Sequence, residues 1–186
     1  RAVEPGTARI SGGRRIPPNA FGPVAEPAIQ SRLLPEARNH IVVCDLRKQG
    51  INDLGKLSRE ALNSGAMLEL FFNDRALRIS RWPDTGWSTY GGVVDPGSVP
   101  RWQEKPDRPG TLTYTGDRPE RWTNAGDIWL HGYWAFDWYD DVLKVKTLDR
   151  DAKQITFATP HMYGLKSGKR YAALNLLEEL SLPGEY

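Results

Sequence analysis

Residues 129–141 read WLHGYWAFDWYDD, with six aromatic side chains in thirteen positions. Laid out as one strand over 128–138, this stretch sorts into two faces, because side chains alternate across a strand. The even positions are Ile128, Leu130, Gly132, Trp134, Phe136 and Trp138, all apolar or glycine. The odd positions are Trp129, His131, Tyr133, Ala135, Asp137 and Tyr139, mostly amphipathic. The even face predicts core, with Trp134, Phe136 and Trp138 packed inside. Gly132 marks a bulge or the close approach of another backbone. The odd face reads as half wet, and Trp129, His131, Tyr133, Asp137 and Tyr139 are the candidate ligand-binding residues. Rings beside carboxylates suit sugars: C–H bonds stack on the ring faces and acids accept from hydroxyls. Cover by another segment of the same chain accounts for that face equally well, and both readings stay open at this point.

Working outward, the run DVLKVKTL that follows alternates, with Leu143 and Val145 against Lys144 and Lys146. The turn DRDAKQ and the run ITFATP complete a hairpin, with Ile155 and Phe157 on one face. Upstream, MLELFFNDRALRISRWP holds a second hairpin around Asn73-Asp74, residues that tolerate the left-handed backbone of a tight turn. Ile41, Val42, Val43 and Leu46 predict a buried strand, with Cys44 as a small hydrophobe in it. Short helices are expected after Glu26-Pro27 and within residues 53–64. Residues 83–126 carry six Pro and seven Gly. They predict a long Pro/Gly-rich excursion laid over the sheet, with TLTYT (111–115) as its one strand. The fold class is therefore mainly β: a small antiparallel barrel or sandwich, one or two short helices and the excursion.

Composition sets further bounds. The 186 residues suit one domain, or one domain plus an attached piece. Lys and Arg number 25 against 23 Asp and Glu, a net charge of +2, and the two signs are interspersed. Nothing in that balance calls for a nucleic-acid partner. The longest apolar run falls far short of the ~20 residues that span a bilayer, and the chain carries no signal peptide. The single cysteine forms no internal disulfide. His40, His131 and His161 are far apart, so no local metal-ligand spacing exists. Gly12-Gly13 lacks the spacing of a phosphate loop, and no nucleophile elbow occurs. Asp140-Asp141 reads as an acidic pair flanking a strand end. Arg78, Arg81 and Lys144 are cations that a uronate could use, without a pattern that singles them out. No catalytic residue, metal ligand or cofactor is assigned.

Three segments together resemble a family. ISGGR (10–14) looks like a strand-and-turn rung of a right-handed parallel β-helix. ELFFNDRALRISRWPDTG (69–86) is similar to a hairpin followed by an "ARWPN-G" stretch. NLLEELSLPGEY (175–186) is similar to a segment ending in "PGEW" that leads back into β-helix coils. The family is that of exported bacterial right-handed β-helix repeat proteins, pectin-lyase-like in fold. The sequence departs from its pattern at Asp74, Asp84 and Tyr186. The resemblance implies that residues 1–25 are a β-helix rung or lead-in, 26–175 a β-rich module, and 176–186 a return segment toward β-helix coils outside this chain. It implies an extracellular or periplasmic location, and partners in the rest of its own β-helix chain and in polysaccharide. Arg81-Trp82-Pro83 and Pro183-Gly184-Glu185 read as structural. Three functions remain open: a non-catalytic accessory module associated with polysaccharide, part of the active groove of a polysaccharide lyase or glycoside hydrolase, and a purely structural cap of the β-helix.

Overall fold

The computed structural model describes residues 12–64, 67–105 and 107–186. Among them the chain forms twelve strands and two short α-helices. In order these are β1 (Gly22–Pro23), α1 (Pro27–Gln30), β2 (Val42–Val43), α2 (Arg59–Ser64), β3 (Phe71–Phe72), β4 (Arg75–Ala76), β5 (Arg81–Trp82) and β6 (Ser88–Thr89). They continue with β7 (Val93–Asp95), β8 (Thr111–Thr113), β9 (Trp129–Gly132), β10 (Asp141–Asp149), β11 (Gln154–Phe157) and β12 (Arg170–Leu174). Eight strands make one antiparallel sheet in the order β5-β12-β9-β10-β11-β8-β7, with β6 also paired to β12. The sheet has two ends and does not close into a barrel.

The hairpin expected after the aromatic stretch is the middle of this sheet. The first half of β10 pairs with β9 and the second half with β11. The register shifts between Val145 and Thr147, leaving Lys146 as an extra residue on β10. Such a bulge bends a strand and resets its alternation. Leu143 and Val145 before it and Leu148 after it consequently reach the same core, while Lys146 and Thr147 both stay in solvent. Both halves of the sheet thus turn one face onto a shared core, as in a small sandwich. Trp134 is fully buried there, 4.9 Å edge-on from Phe157 and stacked 5.9 Å from Tyr90. Its Nε1–H donates to the Asp141 carbonyl at 2.9 Å, so the indole enters the core without an orphaned donor.

The strand expected over 128–138 stops at Gly132. Register is the reason: Gly132 pairs with Asp141, so the eight residues between them form the connection from β9 to β10. Alternation then ceases to assign faces. Trp134 still lies inside, but Phe136 is half-buried and Trp138 is 67% exposed. Gly132 does mark a close approach: a Cβ there would lie 2.8 Å from the Arg170 carbonyl on β12.

α2 begins at a capping serine, Ser58, whose Oγ accepts from the Ala61 N–H at 3.1 Å. With Leu57, Leu62 and Ile79, the segment around it covers Trp129, Val142 and Leu174 on the outer face of the sheet. Arg59 and Asn63, one turn apart, both reach the buried Asp141 carboxylate. That carboxylate is thus an anchor for α2 rather than a surface charge beside Asp140.

Two further expectations are corrected. Residues 41–46 do not form a buried strand. Val42 and Val43 pair only with β1, in a ribbon apart from the main sheet, and both valines and Cys44 keep access to solvent. The Pro/Gly-rich excursion is woven into the sheet rather than laid over it, supplying β6, β7 and β8. The Asn73-Asp74 hairpin forms, with φ of 48° and 64° at the two turn residues, but its strands are two residues long and leave Phe71 and Phe72 exposed. Of the rung or lead-in expected over 1–25, residues 1–11 lie outside the described residues, and 12–25 contribute β1, which pairs with β2.

Residues 175–186 are stitched to the rest by buried carboxylates. Glu178 accepts from Arg32 and from the Thr123 N–H and Oγ1. Burial alone would raise its pKa, but those hydrogen bonds outweigh it and hold the group below its ordinary value. Glu179 accepts from Arg118 and from the Trp122 indole at 2.7 Å. Glu185, with its side chain fully buried, meets Arg78 at 2.7 Å and accepts from the Ser181 N–H at 3.0 Å. Backbone bonds Arg78 N–H to Gly184 O, Tyr186 N–H to Arg78 O and Ser80 N–H to Tyr186 O join the two segments around residues 78–80 and 184–186.

Candidate functional site

α2 covers only part of the outer face of β9 and β12. Beyond it the sheet carries a half-exposed group of rings and cations. His131 is the last outward side chain of β9, and Tyr133 follows two residues later. Trp87 arrives from the excursion because β6 pairs with β12 immediately after it. Its ring sits edge-on to both, 5.1 Å from His131 and 5.4 Å from Tyr133. The Arg170 guanidinium, at the start of β12, lies 4.1 Å from the Tyr133 ring and 5.9 Å from the Trp87 ring. Arg81 approaches Trp87 at 5.3 Å, its guanidinium held by the Pro83 and Gly86 carbonyls. Guanidinium over an aromatic face is attractive through the ring quadrupole and fixes both partners.

Two carboxylates border this group. Asp140 meets His131 Nε2 at 2.8 Å, and that hydrogen bond holds its pKa below the ordinary value. Asp137 meets Lys169 Nζ at 2.9 Å, and the ammonium lowers its pKa in turn. By contrast, the Arg170 guanidinium makes ring contacts but no hydrogen bond or ion pair with any described residue. A guanidinium fixed on aromatic faces with its five N–H donors unspent suits a carboxylate, a sulfate or several hydroxyls. Among the described residues, no three His, Cys, Asp or Glu side chains converge as ligands of a metal ion would.

The five residues expected to bind ligand separate into three places. His131 and Tyr133 lie in the group around Trp87, with Asp137 at its border through Lys169. Trp129 is 6% exposed, with the Lys144 ammonium 5.7 Å from its ring, and is closed off beneath α2; burial takes it out of reach. Tyr139 belongs to a separate cluster, packed edge-on to Trp138 at 5.9 Å and Tyr163 at 5.2 Å and lying 5.5 Å from the buried His161. Sequence reading missed Trp87 and Arg170, and named Arg81 only as one of three cations that no pattern singles out. They reach the site through pairings on β12 that no local spacing announces.

Among the described residues no helix is long and apolar enough to cross a membrane. Compared with models of protein families, with curated proteins and with solved structures, the chain has no match.

Proposed function

We propose that the chain is a non-catalytic accessory module of a larger exported β-helix protein and that it contacts polysaccharide. The observation that carries the reading is the open group formed by Trp87, His131, Tyr133 and Arg170. It offers partly exposed rings for C–H contacts, a fixed cation with spare donors, and carboxylates for hydroxyls, all on one sheet. Two of the segments that resemble the β-helix family are hydrogen-bonded to each other through residues 78–80 and 184–186, which supports reading them as one structural unit. Affinity electrophoresis of the chain in gels containing acidic and neutral polysaccharides tests the proposal. Retardation by at least one polymer, relieved in Arg170→Ala and Tyr133→Ala, is the expected result. Equal mobility of all proteins in every gel contradicts it.

A second reading, a purely structural cap, is favoured by one other feature. Phe71, Phe72, Leu68, Leu54 and Leu182 are all exposed. Leu54 and Leu68 line a cavity of about 160 Å³ shared with Leu57, Met67, Ile79 and Tyr186. Apolar surface of this kind marks a contact with another protein surface. Under this reading, Phe71→Ser with Phe72→Ser leaves the isolated chain as stable as before and lowers the stability of the longer protein. Unchanged stability of that longer protein counts against it.

A further inference from the structure

We propose that the connection from β9 to β10 carries a second glycan subsite, a platform of Trp138 stacked on Phe136 that takes one anionic sugar ring. This rests on the reading of the chain as a polysaccharide-contacting module and adds a site to it. The two rings are 5.5 Å apart and 18° from parallel. Trp138 is 67% exposed, yet it is held from several sides. Tyr163 meets it edge-on at 5.4 Å and meets Phe136 edge-on at 5.5 Å. Tyr139 meets it at 5.9 Å. Tyr139 and Tyr163 in turn back onto His161, which is buried. An indole presented in one orientation by three neighbouring rings has little conformational freedom left to lose on binding. Its open surface suits the apolar face of a pyranose.

Charge selects the ligand class. The Lys166 ammonium lies 4.0 Å from the Phe136 ring centroid and has no ion pair with any described residue. Its own backbone is fixed, the Lys166 N–H donating to the Trp134 carbonyl at 2.8 Å. A carboxylate or sulfate ester on a ring stacked at this platform would find that cation beside it. Lys166 is the charged side chain in contact with a ring of the platform. The exposed aliphatic residues Leu54 and Leu68 gather instead around the distant-in-sequence cavity, and Met162 is the exposed apolar residue beside Tyr163. That setting favours a charged sugar over an apolar protein partner. Tyr133 and Trp138 are five residues apart, so their Cα atoms lie within roughly 18 Å. That separation is within the span of a short oligosaccharide.

The test measures affinity of the full chain for polygalacturonate, alginate and chondroitin sulfate, with xylan and a soluble β-glucan as neutral polymers. Trp138→Ala should weaken binding of the anionic polymer recognised by wild type by ~10-fold or more, a loss of about 1.4 kcal/mol. Trp138→Tyr, which keeps a ring, should recover most of it. Lys166→Ala should weaken anionic polymers alone. Circular dichroism and melting temperature should be unchanged in all three, since Trp138 and Lys166 are both exposed. Wild-type affinity in Trp138→Ala, alongside loss in Arg170→Ala, overturns the second subsite and leaves the module reading standing. Absence of binding by wild type to every polymer overturns both. Self-association of wild type that Trp138→Ala abolishes in sedimentation, with glycan affinity intact, assigns the platform to a protein contact and overturns the subsite.

Discussion

Lowering the pH from 7 to 5 should destabilise this protein by about 2 kcal/mol through a single side chain, His161. The ring is 1% exposed. Its Nδ1 lies 2.9 Å from the Gly164 carbonyl and 3.3 Å from the Tyr163 N–H, and Nε2 has no hydrogen-bond partner among the described residues. A second proton would create a charge with an unpaired N–H in the interior. Burial, reinforced by the positive charge of Arg59, holds the pKa down at about 4 from an ordinary 6.5. In the unfolded chain the ring titrates near its ordinary value. Between pH 6.5 and 4 the unfolded state therefore binds a proton that the folded state refuses. Stability is full above 6.5, declines as pH falls through that window and levels off below about 4. At pH 5 the ratio of the two binding polynomials corresponds to about 2 kcal/mol. For a chain of this length that is a drop in Tm of roughly 4–8 °C. Glu178, Asp137 and Asp140 are held below their ordinary values, so their protonation in the folded state belongs to lower pH. Scanning calorimetry of wild type and His161→Phe at pH 7, 6 and 5 reads the effect. Wild type should lose Tm across the series, and the variant should hold it. A wild-type Tm that is flat from 7 to 5, or an equal slope in the variant, would refute the reasoning.

Other perturbations separate buried from surface chemistry. Glu179→Ala leaves Arg118 and the Trp122 indole without their acceptor and should cost about 3–5 kcal/mol in denaturant unfolding; a cost below about 1 kcal/mol would show that the carboxylate is not a staple. Asp137→Ala, at an exposed pair, should leave the unfolding midpoint where it is. Gly132→Ala places a methyl 2.8 Å from the Arg170 carbonyl and 3.0 Å from Trp134, and should destabilise by about 1–3 kcal/mol with loss of near-ultraviolet ellipticity. Trp134→Ala, at the centre of the core, should cost about 3–5 kcal/mol by the same assay.

What the sequence disclosed was local. Alternation in β10 and β11, and the turn at Asn73-Asp74, follow from residues that are neighbours in the chain, and both hairpins form. The even face of the aromatic stretch is core as far as Trp134 for the same reason. The misreadings share a different cause. Parity puts Trp138 in the core, but parity has meaning only while the strand is paired, and pairing ends where Gly132 meets Asp141. Alternation puts Trp129 on the wet face because nothing near it announces α2, which comes from residues 59–64. Glu178 and Glu179 look like surface charges until Arg32 and Arg118 arrive from across the fold. The candidate site was half legible: His131 and Tyr133 could be read from the strand, whereas Trp87 and Arg170 required the pairing of β6 with β12.

Titration of intrinsic tryptophan fluorescence with acidic and neutral polysaccharides tests the binding function most directly. Of the seven tryptophans, Trp87, Trp102 and Trp138 are exposed, and two of these three lie in the proposed contacts. A saturable shift with at least one polymer, reduced in Trp138→Ala and in Trp87→Ala, is the predicted result. A flat response with every polymer would contradict a glycan-contacting face and leave the structural cap as the better reading.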